Sequence, residues 1–124
     1  MIKVKNNIEN LLDSLSKSKF RGSFHLNKKM KEYVKEKGFN KIKSDAIDLI
    51  TKRLAPENPN NDGKQTPMRQ VHPVFSAQHA TGCCCRCCLE KIHDIKKGHE
   101  LSNEEIDYVV NVIMLWIQRE MLKK

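Results

Sequence analysis

The chain has 124 residues, 39% hydrophobic and 31% charged, with 23 Lys+Arg against 15 Asp+Glu and a formal net charge of +8. That length suits one domain with a modest apolar interior, and no apolar run approaches the roughly 20 residues that a membrane-spanning helix needs. The opening MIKVKNNIENLLDSL is amphipathic rather than the unbroken apolar stretch of a signal peptide, so a cytoplasmic protein is expected.

The charge is unevenly placed. Residues 1–54 carry 14 Lys+Arg and 6 Asp+Glu, a balance of +8, whereas residues 55–124 carry 9 of each and are neutral. A positive half attracts polyanions, of which nucleic acid is the commonest.

Taken in chain order, Ile2, Val4, Ile8, Leu11, Leu12 and Leu15 recur at spacings near three and four and predict an amphipathic helix ending before Arg21-Gly22. Asn27 can cap a second helix over 28–37, with Met30, Tyr33 and Val34 inward and Gly38 as its left-handed stop. A third, over 40–54, turns Ile42, Ala46, Leu49, Ile50 and Leu54 inward, and Pro56 closes it. The helix-glycine-helix joint has some likeness to hairpins that hold DNA phosphates on backbone amides, but it lacks their second glycine.

From Ala55 to Val71 the composition changes to a loop marked by Pro56, Asn58-Pro59, Asp62-Gly63 and Pro67. Near the far end, Ser102-Asn103-Glu104-Glu105 is a capping box that opens a helix over 103–122. Ile106, Val109, Val110, Ile113, Trp116, Ile117 and Met121 give that helix a wide apolar arc, so it is either the central post of the core or part of a homodimer contact.

Chemistry concentrates between His72 and His93, which enclose three histidines and all five cysteines: Cys83, Cys84, Cys85, Cys87 and Cys88. Five thiols crowded into six positions do not make the spread-out framework of a secreted disulfide scaffold. Zinc takes four sulfur or imidazole donors at tetrahedral corners, and a Cys-x-x-Cys turn offers two of them together. Two such pairs exist, Cys84/Cys87 and Cys85/Cys88. His79 and His93 bracket the second, giving His79, Cys85, Cys88 and His93 as the expected zinc ligands. Adjacent helical residues point about 100° apart, so in a helix Cys84 and Cys85 would not both reach one ion. If the stretch were helical from Gly82, Cys84 and Cys88 would share a face and His72 would become the next ligand. Iron–sulfur clusters usually need a remote cysteine, which this chain lacks.

The peptides NDGKQTPMR, HPVF, AQHAT and CCR, followed by Cys88-Leu89 and His93, resemble a family of small, mainly bacterial proteins described as domain of unknown function 4186. The resemblance covers about Phe20 to Gln118, leaving 1–19 as an N-terminal helical extension to a single helical domain over 20–124. It implies that Cys84, Cys85, Arg86 and Cys88 fall on the family's Cys-Cys-Arg-x-Cys pattern and His72, His79 and His93 on its histidines, with Cys83 and Cys87 as extras. Gln70-Val71 stands where the family has a single glycine, and Ile92 where it has tryptophan.

The expected protein is thus a mostly α, small single-domain fold with a Cys/His-rich, zinc-binding loop-helix segment. As a binding module it would use a basic surface, Lys28, Lys29, Lys31, Lys35, Lys41 and Lys43, for nucleic acid phosphates. Gln65, Thr66, Arg69, Gln78 and Arg86 are candidates for a polar pocket leading into the cysteines. The alternative is an enzyme. One form is a metal-dependent hydrolase with an open zinc position and Glu90 as base; the other is a cysteine enzyme whose thiol is activated by Arg86 and His79.

Overall fold

A computed structural model describes residues 5–57 and 72–123. Six helices follow one another: α1 (Lys5–Ser16), α2 (Lys28–Lys37), α3 (Phe39–Arg53), α4 (Pro73–Thr81), α5 (Arg86–His93) and α6 (Asn103–Leu122), with a 3-10 turn at Arg21–Ser23 before α2. No strand occurs among the described residues, and no helix there is long and apolar enough to cross a membrane.

The long helix α6 is the central post. Ser102 Oγ accepts from the Glu105 N–H at 3.1 Å while Glu105 Oε1 accepts from the Ser102 N–H at 2.9 Å, so the expected capping box is complete. Tyr108, Val109, Val110, Val112, Ile113, Met114, Trp116 and Ile117 are all buried, and Asp107, Asn111 and Gln118 form its exposed polar stripe. Helices α3 and α4 pack on this post, so most of the apolar arc is buried within the chain itself.

The α2–α3 hairpin follows from local signals. Asn27 Oδ1 accepts from the Met30 N–H at 2.8 Å and starts α2, while Met30 and Val34 turn inward. Gly38 joins the helices at φ +84, ψ 155, a conformation open to glycine that differs from the left-handed helical stop expected there. In α3, Ile42, Ala46 and Ile50 are fully buried at helical spacing.

Helix α1 shares this core and is not a separate appendage: Ile8 and Leu12 are buried in it, and Arg119 of α6 reaches the Asp13 carboxylate and the Glu9 carbonyl. Ile2 and Val4 lie outside the described residues. The segment before α2 is fastened by Glu120, a buried carboxylate that accepts from the Leu26 N–H at 3.0 Å and meets Lys123 Nζ at 2.7 Å and His25 Nδ1 at 3.2 Å.

Helix α4 has no counterpart in the sequence reading. All nine of its residues are buried, so no polar stripe marks its period. Its signals are terminal: His72 caps it through Nδ1, which accepts from the Val74 N–H at 3.1 Å, Pro73 begins it, and Gly82 ends it in the left-handed region at φ +75.

Candidate metal centre

Gly82 decides how the chain leaves α4 and enters the cysteines. A Cβ there would stand 2.4 Å from Ile92 Cδ1 and 3.3 Å from Ile92 Cβ, in a backbone conformation that L side chains avoid. Gly82→Ala is therefore expected to lower the unfolding free energy by about 1–3 kcal/mol, read as a lower urea midpoint at unchanged slope. An unchanged midpoint would show that this turn relaxes freely.

Past Gly82 the chain is not helical: it bends at Cys84-Cys85, and Cys85, itself extended (φ -156, ψ 168), is the N-cap of α5. The expected difficulty of directing neighbouring cysteines at one point belongs to a helix, and the chain is bent rather than helical at Cys84-Cys85. The sulfurs of Cys84, Cys85 and Cys88 all lie within 4.8 Å of one another. Cys85 Sγ and Cys88 Sγ are 3.3 Å apart, and the Cys88 N–H points at Cys85 Sγ at 3.5 Å.

The group is suited to a metal ion. Sulfurs at the corners of a zinc tetrahedron stand roughly 3.8 Å apart, as follows from a Zn–S bond of about 2.3 Å. Cys84 and Cys85 are 8% and 7% exposed and Cys88 is half-buried, so an ion there would be shielded from water on two of its three sulfurs. Burial pushes the Cys85 thiol up to about 12. A thiol held up in this way lacks the lowered pKa of the attacking thiol in a cysteine enzyme.

A residue that the sequence reading passed over completes the group. Arg21, in the 3-10 turn, donates from Nη1 to Cys84 Sγ at 3.4 Å and to the His79 carbonyl at 2.6 Å, and from Nη2 to Cys88 Sγ at 3.2 Å. Its fork thus binds two of the three sulfurs from a segment more than sixty residues away in sequence. Only a lone basic residue beside Gly22 marked it, and charge without a partner in view is no signal.

The expected histidine ligands do not enter the group. His93 is buried against α6, with Nε2 2.7 Å from the Thr81 carbonyl and Nδ1 2.8 Å from the Tyr108 hydroxyl. A carbonyl only accepts, so Nε2 carries a proton; Nδ1 then takes the Tyr108 hydroxyl hydrogen and the ring holds α5 on α6. His79 offers its carbonyl to Arg21, and its ring is stacked on Phe24 with centroids 5.3 Å apart. His72 spends Nδ1 on the α4 cap and faces Asp45 Oδ2 with Nε2 at 3.2 Å. Cys83, buried and pushed up to about 12 by that burial, faces His93 and the Thr81 carbonyl; Cys87 is exposed and receives Lys97 Nζ at 3.3 Å.

Arg86 was expected beside a pocket or a reactive thiol and does neither. It is 1% exposed, its two terminal nitrogens directed at the carbonyls of Leu54, Ala55, Pro56, Lys96 and His99. Gln78 is buried and donates to the Cys83 carbonyl at 3.1 Å. Gln65, Thr66 and Arg69 lie outside the described residues. Glu90, the candidate base, accepts from the Lys97 N–H at 3.1 Å. Two cavities, of about 700 Å³ between α1, α3 and α6 and about 210 Å³ beside Arg21 and Glu120, have no cysteine in their walls.

Of the basic residues expected to form a surface, Lys28, Lys29, Lys35 and Lys43 are exposed, Lys41 is exposed and paired with Asp45 at 2.8 Å, and Lys31 is half-buried and donates to the Lys123 carbonyl at 3.1 Å. Glu32, Glu36 and Asp48 are exposed on the same two helices and dilute the positive field.

Fold and site together define a small, mostly helical protein with a three-cysteine group that can hold a metal ion. The chain belongs to the family described as Domain of unknown function (DUF4186), whose model matches residues 9–118, a span that starts inside α1. No solved structure matches it.

Proposed function

We propose that this protein is a zinc-binding helical module, in which Cys84, Cys85 and Cys88 hold the ion at the junction of α4, α5 and the 3-10 turn. Carrying the reading is the placing of Arg21 on two of the three sulfurs. Three thiolates and one guanidinium sum to a charge of about -2, which a divalent ion brings to zero in a buried setting where uncompensated charge is costly. A monovalent soft ion such as Cu(I) would leave one negative charge over, so the charge count favours a divalent ion, of which zinc is the one that buried thiolates commonly hold.

The ion's role in this reading is structural. It joins the end of α4 to the start of α5 and, through Arg21, to the segment between α1 and α2. A hydrolase would need a base and a substrate cleft at the metal. Three cysteines leave a fourth position of the ion open, but Glu90 is engaged with the Lys97 backbone and neither cavity opens on the cysteines, so the geometry supplies neither the base nor the cleft. Binding of nucleic acid retains the charge of the first half as its one support.

The test is elemental analysis of protein purified without added metal or chelator. About one zinc per chain is expected, with cobalt substitution giving the thiolate-to-metal absorption of sulfur ligation. A folded protein that contains no metal, or one whose metal content is unchanged in Cys85→Ser, rejects the proposal.

A further inference from the structure

The three sulfurs are not equivalent, and the difference points to chemistry beyond holding an ion. Cys85 and Cys88 stand three positions apart at the N-terminus of α5, with their sulfurs 3.3 Å from each other. Across one helical turn Cα atoms are roughly 5 Å apart, inside the range of about 4.4–6.8 Å that a relaxed disulfide spans. Cys84 and Cys85 are sequence neighbours, and adjacent Cα atoms lie only about 3.8 Å apart, so a bond between them would be strained. Cys84 and Cys88 have the Arg21 fork on both sulfurs. Cys88 is also the member of the group that reaches solvent, being half-buried where Cys84 and Cys85 are buried.

We infer that Cys85 and Cys88 are a redox-active dithiol, and that their oxidation to a disulfide by a peroxide empties the metal site. The emptying rests on the zinc reading above; the pairing does not. Peroxide attacks first at the accessible sulfur: Cys88 thiolate displaces hydroxide from hydrogen peroxide and becomes a sulfenic acid. Cys85 sulfur then attacks that sulfur, the S–S bond forms, the S–O bond breaks and water leaves. The two thiols together lose two electrons and two protons, and the peroxide is reduced to two waters. For the loaded site, the zinc trithiolate, one peroxide and two protons yield free zinc, the disulfide, one thiolate on Cys84 and two waters.

Release follows because a disulfide sulfur carries no charge and is a feeble ligand. The ion keeps one thiolate of three, and Arg21 keeps one anionic partner of two. Reduction restores the pair, so the site alternates between a metallated, reduced form and an empty, oxidised form.

The experiment uses the zinc-loaded full chain carrying Cys87→Ser, which removes the exposed thiol outside the group. Hydrogen peroxide is added while a metallochromic dye reports free zinc, and the products are alkylated, digested with trypsin and mapped by mass spectrometry. Trypsin cuts after Arg86, so a Cys85–Cys88 bond joins two peptides that otherwise separate, and fragmentation tells Cys85 from Cys83 and Cys84. About one zinc is expected to leave for every two thiols lost, together with the joined peptide, and a dithiol reductant should restore zinc binding. Zinc that stays bound while thiols disappear, or Cys88 that runs on to sulfinic acid without a cross-link, overturns the inference. A chain with no zinc before oxidation rejects the proposed function instead. The peptide map of that same sample then decides the dithiol by itself, the cross-link supporting it and its absence overturning it.

Discussion

Arg86→Met should unfold this protein or bring it close to unfolding, with a loss of about 4 kcal/mol or more. Domains of this kind are stable by about 5–15 kcal/mol, and each buried carbonyl deprived of a charged donor costs about 1–3 kcal/mol, without simple additivity. The Arg86 guanidinium holds the carbonyls of Leu54 and Pro56 at 3.2 and 3.0 Å and those of Lys96 and His99 at 3.1 and 2.9 Å, with the Ala55 carbonyl at 3.5 Å. It therefore clamps the end of α3 to the segment that runs from α5 to α6. Methionine fills much of the volume but donates nothing. Lysine keeps the charge on one compact ammonium that cannot fork between two segments, so Arg86→Lys should recover less than half of the loss. Urea unfolding of the two variants is the measurement. A cost below about 1 kcal/mol for Arg86→Met, the range of ordinary surface changes, would mean that water satisfies these carbonyls instead.

The second large effect is expected at Cys85, where ligation and helix capping coincide. In Cys85→Ser the hydroxyl is a competent N-cap, so α5 keeps its start while the site loses one thiolate of three. Bound zinc should fall from about one per chain to below about 0.1. A ligand present at about a thousand times its dissociation constant stabilises by about 4 kcal/mol, so both this variant and chelated wild type should melt at a lower temperature than the loaded protein. Arg21→Leu is the milder partner experiment. It leaves the three sulfurs in place and removes their shared donor, for which a 10–100-fold loss of affinity is typical. Metal content is read by elemental analysis and stability by thermal unfolding with and without chelator. Equal melting of loaded and chelated protein would refute the structural role of the ion, whatever the metal content.

Helices α2, α3 and α6 were legible in the sequence because their signals are local: in α2 and α6 a cap that accepts the backbone N–H three positions on, in α3 the glycine before it, and in all three an apolar stripe at helical spacing. The Cys/His concentration was equally plain, and it marked the right stretch of chain. Which atoms converge there was not legible, since convergence depends on backbone direction. The choice of His79 and His93 as ligands followed from their even spacing around Cys85 and Cys88. In the fold, His93 lies between the Tyr108 hydroxyl and the Thr81 carbonyl, and the His79 ring lies flat on Phe24. Helix α4 was hidden for another reason: an element buried on every side shows no alternation of polar and apolar residues.

By itself, then, the sequence determined the helical class, the capped start and apolar arc of the last helix and the six-residue window of thiols, because helix formation and sulfur affinity are properties of residues and their near neighbours. Tertiary structure alone decided the membership of the site and the parts played by two arginines. A guanidinium more than sixty residues from the cysteines is brought onto their sulfurs, and the one lying between them in sequence is turned away onto backbone carbonyls. The physical reason is that a buried cation must find its counter-charges or acceptors within a few ångströms, and only the folded chain sets which groups lie that near.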